Sequence, residues 1–115
     1  MIRGDLWWAD YGEPFGSEPG YRRPVIIFQI DYFNKSKINT LIVIPLTTNI
    51  LMAEVPGNVF LEKNETKLRK DSVVLTLQIG VIDRQRLVER ISRINKSTME
   101  KIEESLAFIL GIKKT

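Results

Sequence analysis

"IDRQRLVERISRI", residues Ile82–Ile94, is the stretch on which the architecture turns. Leu87, Ile91 and Ile94 fall at helical spacing, which favours one amphipathic helix. Asp83 can instead cap a single turn, "RQRL", and release the chain into a strand, "VERISRI". Periodicity alone supports both readings.

The flanks are easier to read. Downstream, Ser97 with Glu100 forms a capping box. Met99, Ile102, Leu106 and Ile109 make one apolar stripe, and Gly111 stands where a helix C-terminus favours glycine. Upstream, "SVVLTLQI" (72–79) reads as one strand, with Val73, Leu75, Leu77 and Ile79 on one face and Thr76 and Gln78 on the other. "TLIVIPL" (40–46) is a buried strand whose Pro45 marks an end or an edge position. "PVIIFQI" (24–30) is β-branched and nearly all apolar, as a central strand is. "LWWADY" (6–11) is a short aromatic strand. "PGN" (56–58) turns between short strands expected near 52–55 and 58–62. Residues 12–22 form a glycine- and proline-rich loop, 31–39 a polar turn, and "NETKLRKD" (64–71) a charged loop. The layout is mainly β, five to seven short strands followed by one C-terminal helix. Such a layout suggests a small curved barrel with the helix packed on it.

At 115 residues the chain is expected to be one domain over 1–115. It has no cysteine, which excludes disulfides and thiolate metal sites. It has no histidine, which excludes a Ser-His-Asp triad, a histidine-pair ribonuclease and a histidine-ligated metal. Catalysis here has to run on Arg, Lys, Thr, Ser, Tyr or carboxylates. No segment has the make-up of a signal peptide or a membrane span, so a cytoplasmic protein is expected. Net charge is +3 overall. Residues 1–20 carry one cation (Arg3) against four acids, and residues 21–50 carry four cations against Asp31. The second segment can meet phosphates, or it can be an ordinary solvated surface.

The candidate residues for chemistry are polar ones at strand ends. Arg23 opens a strand, Thr47 and Thr48 close "PLTTN", and Gln78 ends the strand after "KDS". Taken singly, each also reads as an ordinary solvated arginine, turn hydroxyl or edge amide. Together, "RGDLWWADYG", "GSEPGYRRPVII", "VIPLTTN", "PGNVFL", "KDSVVLTLQIGVIDRQRL" and the capped helix resemble, in order, the MazF/PemK-type toxins of type II toxin–antitoxin systems. The resemblance runs over residues 2–112. It implies an SH3-like small barrel of the plasmid-maintenance toxin type, and a strand at "VERISRI". It implies a homodimeric endoribonuclease, an mRNA interferase cutting single-stranded RNA without metal or other cofactor, neutralised by a cognate antitoxin. It implies Arg23 and Thr47 as the catalytic pair and Gln78 as an RNA-binding residue, and it makes 12–22 the substrate loop. Phe15, Ser17, Tyr21, Arg22 and Thr48 are further RNA-binding candidates, with Glu18 a candidate for proton transfer. Pro19, Tyr21 and Arg22 depart from residues common in the family and bear on base preference. Toxins of the same fold that inhibit DNA gyrase by protein binding are the alternative; the basic, non-aromatic tip "LGIKKT" argues against them.

Overall fold

The computed structural model describes residues 1–13, 16–17 and 21–113. Among them are seven strands: β1 (Asp5–Asp10), β2 (Arg22–Ile27), β3 (Thr40–Thr47), β4 (Val59–Leu61), β5 (Ser72–Val74), β6 (Gly80–Asp83) and β7 (Leu87–Arg93). Three helices accompany them: α1 (Asp31–Asn34), α2 (Lys63–Thr66) and the long α3 (Lys96–Ile109).

The deciding stretch resolves as turn and strand. The Asp83 carboxylate accepts the Gln85 N–H at 2.8 Å and caps a 3-10 turn over Arg84–Arg86. The chain then pairs antiparallel with β1, from Leu87 opposite Ala9 to Arg93 opposite Asp5. That ladder satisfies the backbone groups a helix would have satisfied internally, so tertiary pairing overrides the helical spacing of Leu87, Ile91 and Ile94.

One antiparallel sheet in the order β4-β5-β3-β2-β1-β7 dominates the molecule, with β6 also paired to β3. The expected single strand over 72–79 is instead broken in two. Leu46 pairs with Val74, whereas Val43 pairs with Gly80, so six steps of one chain span three of the other. The surplus is taken up by a 3-10 turn at Thr76–Gln78. Thr76 fixes it: its hydroxyl donates to the Gly57 carbonyl at 2.8 Å, and its N–H donates to Asn58 Oδ1 at 3.1 Å. Leu77 is consequently 58% exposed rather than buried beside Val73 and Leu75.

Pro45 stands inside a central strand, neither at its end nor at an edge. Its carbonyl accepts the Leu75 N–H at 2.9 Å. The N and O of one strand residue point to the same side, so its missing N–H faces the irregular Leu75–Ile79 segment and removes no ladder bond. Residues 50–54 form a 3-10 helix capped by Asn49, where a strand was expected near 52–55. The polar segments 31–39 and 64–71 each include one short helix, or part of one.

Both faces of the sheet are covered. Leu6, Ile26, Ile44, Leu46 and Val74 pack against Met99, Ile102 and Leu106 of α3. On the other face lie Ala9, Val25, Ile27, Leu41, Val43 and Ile82, flanked by Trp7, Tyr11 and Leu87. The alternation of Val25 and Ile27 against Ile26 is the two-residue strand period. Burying each such aliphatic side chain contributes roughly 1.5–3 kcal/mol before chain entropy is counted. The α3 cap is Asn95, which accepts the Thr98 N–H at 2.8 Å, rather than the Ser97–Glu100 box. At the other end Gly111, at φ 71°, donates to the Phe108 carbonyl, and Ile112 donates to Ala107. This 5→2 and 6→1 pair ends the helix.

Candidate functional site

The β1–β2 hairpin is pinned at its base. Tyr11 N–H donates to the Tyr21 carbonyl at 2.8 Å, and Tyr21 N–H donates back to the Gly12 carbonyl. Gly12 N–H is held by the Asp10 carboxylate at 2.9 Å. Tyr21 reaches this closure at φ 57°, a left-handed conformation that disfavours a bulky side chain, and it leaves that side chain 66% exposed. Strand β2 starts immediately afterwards, so Arg22 and Arg23 leave a fixed backbone at the rim of one concavity. Arg22 lies over the Trp8 ring, 5.9 Å from its centroid.

Register brings Arg23 to Thr47. Val25 pairs with Pro45, and the same antiparallel register carried two residues further sets Arg23 opposite Thr47 at the end of both strands. Both side chains are half-buried. Arg23 Nη1 donates to the adjacent Leu46 carbonyl at 3.4 Å, a long bond that leaves the rest of the guanidinium fork uncommitted. The Thr47 hydroxyl accepts the Asn49 N–H at 3.2 Å and keeps its own proton to donate. Arg23 and Thr47 line one open concavity of about 700 Å³ with Tyr21, Arg22 and Thr48.

Tyr11, just past the end of β1, lies within electrostatic reach of Arg23. Burial pushes its phenol up to about 12, against the opposing pull of the Arg23 guanidinium. It therefore stays protonated at neutral pH and presents Arg23 with a neutral, water-poor neighbour.

Gln78 and Ser17 fall elsewhere. They line a second concavity of about 670 Å³ with Tyr11, Glu13, Asp83 and Arg86. Tyr11 belongs to that second concavity and also lies within electrostatic reach of Arg23, so the hairpin base stands between the two. Gln78 sits at the end of the 3-10 turn, not on a strand. Phe15 and Glu18 lie outside the described residues.

Sequence reading missed Tyr11, and it missed the cations of the first concavity, Lys67, Arg69, Lys70 and Arg90. The first three were legible only as a charged loop, because nothing local to "KLRK" says which strand end it faces. Among the described residues no group of three or more carboxylates lies close enough to share a metal ion.

Residues 2–110 match the family of PemK-like, MazF-like toxins of type II toxin-antitoxin systems, and the chain belongs to that family. It is 37% identical over 112 residues to the endoribonuclease MazF6 of Mycobacterium tuberculosis, covering 97% of this chain and 98% of that protein. It is 41% identical over 110 residues to the endoribonuclease MazF of Staphylococcus epidermidis, covering 96% and 91%. In fold it is similar to a mycobacterial endoribonuclease solved in complex with its cognate antitoxin, with a TM-score of 0.77 at 21% identity over 100% of this chain and 97% of that one.

Proposed function

We propose that this toxin is a sequence-specific endoribonuclease that cuts single-stranded RNA, with Arg23 and Thr47 as its catalytic pair. The observation that carries the reading is that Arg23 and Thr47, at the ends of adjacent strands, line one cationic concavity.

RNA supplies its own nucleophile. The 2′-OH attacks the adjacent phosphorus, a 2′-O–P bond forms, the P–O5′ bond breaks, and the products end in a 2′,3′-cyclic phosphate and a 5′-OH. Arg23 holds two phosphate oxygens with its planar fork and stabilises the charge that builds on them. Thr47 donates its hydroxyl to a phosphate oxygen or aligns the 2′-OH for attack. An arginine stays protonated, so Arg23 is not the base that takes the 2′-OH proton. Glu18 is a candidate for that transfer. Ser17, Tyr21, Arg22, Thr48 and Gln78, with Phe15, bind the unpaired nucleotides by stacking and edge contacts. The reaction as written needs no metal, because the RNA supplies the nucleophile and positioned donors meet the developing charge.

The finer structural reading is a single domain whose sheet closes into an SH3-like barrel. Two copies pair in the cytoplasm through the apolar surface where Phe33, Ile42, Leu110 and Ile112 border one concavity. An acidic antitoxin segment then covers the cationic rim, as supported by the antitoxin complex of the mycobacterial neighbour.

The test is incubation of the purified protein with mixed-sequence RNA in the presence of a chelator, followed by analysis of the new ends. Cuts at a short motif with 5′-OH ends support the reading, and a 2′-deoxy nucleotide at the cut should block it. Cleavage that ignores the 2′-deoxy substitution would falsify the 2′-OH mechanism.

A further inference from the structure

We infer that Lys67, Arg69 and Lys70 form a phosphate-binding strip that holds RNA flanking the cut site, without reading its bases. The inference rests on the endoribonuclease reading and adds a binding surface to it.

Its first ground is position. These three residues line the same concavity as Arg23 and Thr47. The lining carries six cations (Arg22, Arg23, Lys67, Arg69, Lys70, Arg90) against one carboxylate, Glu89. Arg90 is tied to Asp5 at 3.3 Å, so its charge is partly answered within the protein. Lys67, Arg69 and Lys70 are exposed, and none of them forms an ion pair among the described residues. Cations concentrated on one wall without acids raise the local potential for a polyanion.

A second ground is the backbone. Among the described residues only Tyr21 and Lys67 adopt positive φ without being glycine, and both line this concavity. Lys67, at φ 68°, stands just past the end of α2, a position where glycine is the unstrained choice. Backbone strain of this kind concentrates at binding sites, where a side chain offsets its cost.

A third ground is rigidity. Lys63 N–H is held by the Asp71 carboxylate at 2.9 Å, which ties one end of this segment to the other. Fully buried Thr66 accepts the Leu68 N–H on its hydroxyl at 3.1 Å and the Ser92 hydroxyl on its carbonyl at 2.6 Å. Leu68 packs on the main core cluster. The three cations therefore leave a backbone anchored on both sides, which reduces the ordering cost of binding.

Contacts of this kind fix the path of the strand and carry no sequence information. Bases are then read near the hairpin loop and Gln78, while the strip supplies affinity for length.

The experiment measures binding of fluorescently labelled RNA by anisotropy against salt. Two RNAs carry the mapped cut motif with a 2′-deoxy nucleotide at the cut, one with flanks and one without. The triple variant K67Q/R69Q/K70Q should bind the flanked RNA about tenfold or more weakly at low salt, with the slope of log K on log salt reduced by about 2. The loss on the unflanked RNA should be much smaller. Lys67→Gly, which suits the backbone, should leave the melting temperature unlowered and still remove about 0.7 of that slope. Equal losses on both RNAs, or an unchanged slope, overturn the strip. So does unchanged RNA binding with weakened capture of an acidic peptide, which assigns the surface to a protein partner. Failure of wild type to cleave RNA would strike the parent reading instead, and the salt slope of the triple variant on long mixed-sequence RNA would still test the strip.

Discussion

Arg22 and Arg23 are adjacent cations of one strand, and the proposed mechanism gives them unequal work. Arg23→Ala removes a half-buried fork set opposite Thr47. Loss of one preorganised donor aimed at developing charge typically costs about 2.7–4 kcal/mol, roughly a hundred- to a thousand-fold in rate. Arg22→Ala removes an exposed cation near the outer limit of contact with the Trp8 ring, worth about 0.5 kcal/mol. It also removes the attraction of an exposed charge for phosphate, about 1 kcal/mol in water at 4 Å. Together these amount to about tenfold. Neither change should unfold the protein, since the one Arg23 hydrogen bond is 3.4 Å long and worth less than about 1 kcal/mol. The assay is kcat/KM on an RNA bearing the mapped cut motif, with thermal melting as the control. Arg23→Ala should be the worse enzyme by at least tenfold, and raised salt should shrink only the Arg22 deficit. If Arg22→Ala proved equal or worse with both proteins folded, the pairing of Arg23 with Thr47 would not be the reaction centre.

Thr47→Ala should also lower kcat by about a hundredfold or more, and combined with Arg23→Ala the losses should fall well short of additive if, as proposed, both act on one phosphate. Tyr11→Phe bears on pH. The folded phenol titrates at about 12, above its ordinary 10, so the folded state holds its proton longer than the unfolded state. Its contribution is intact below pH 10 and falls as pH rises from 10 to 12, by about 1–2 kcal/mol once its partial exposure is discounted. Urea melts of the Phe variant should lose that part of the alkaline slope; an unchanged slope refutes the assignment. Gly57→Ala places a Cβ 2.8 Å from Ile109 Cδ1 at φ 96°, so it should destabilise by about 1–3 kcal/mol, read as a lower urea midpoint. The working unit is expected to be a dimer, and light scattering that finds a fully active single chain rejects this.

The apolar runs within β2 and β3, Val25–Ile27 and Leu41–Leu46, were legible because burial and β-branching coincide there. The end of α3 was legible because Gly111 has one local meaning. Its start was not, since Asn95 and Ser97 are both good caps and only the path of the chain out of β7 chooses between them. The break at Thr76–Gln78 was hidden because its cause, the carbonyl of Gly57 and the amide of Asn58, lies some 18 residues upstream. Arg23 and Thr47 could be singled out as strand-end residues, but their meeting depends on a register that no single strand contains. The same limit concealed Tyr11 and Lys67: one matters through its neighbour, the other through a backbone angle.

The proline in β3 also bears on how the chain avoids a wrong fold. A continuous strand over residues 72–83 is the alternative that the alternating residues invite. To form it, β6 would have to slide three places along β3, and an odd shift turns every side chain to the opposite face. Ile82 would lose its place beside Leu41 and Val43. That slipped ladder would look for a backbone donor at position 45, and Pro45 has none. The native sheet needs nothing there, because its own chain turns away at Leu75. The residue that seemed out of place in a central strand thus penalises the competing register alone. Replacing it with alanine is expected to show its effect first in refolding, as a slow or aggregating fraction, while the folded protein changes little.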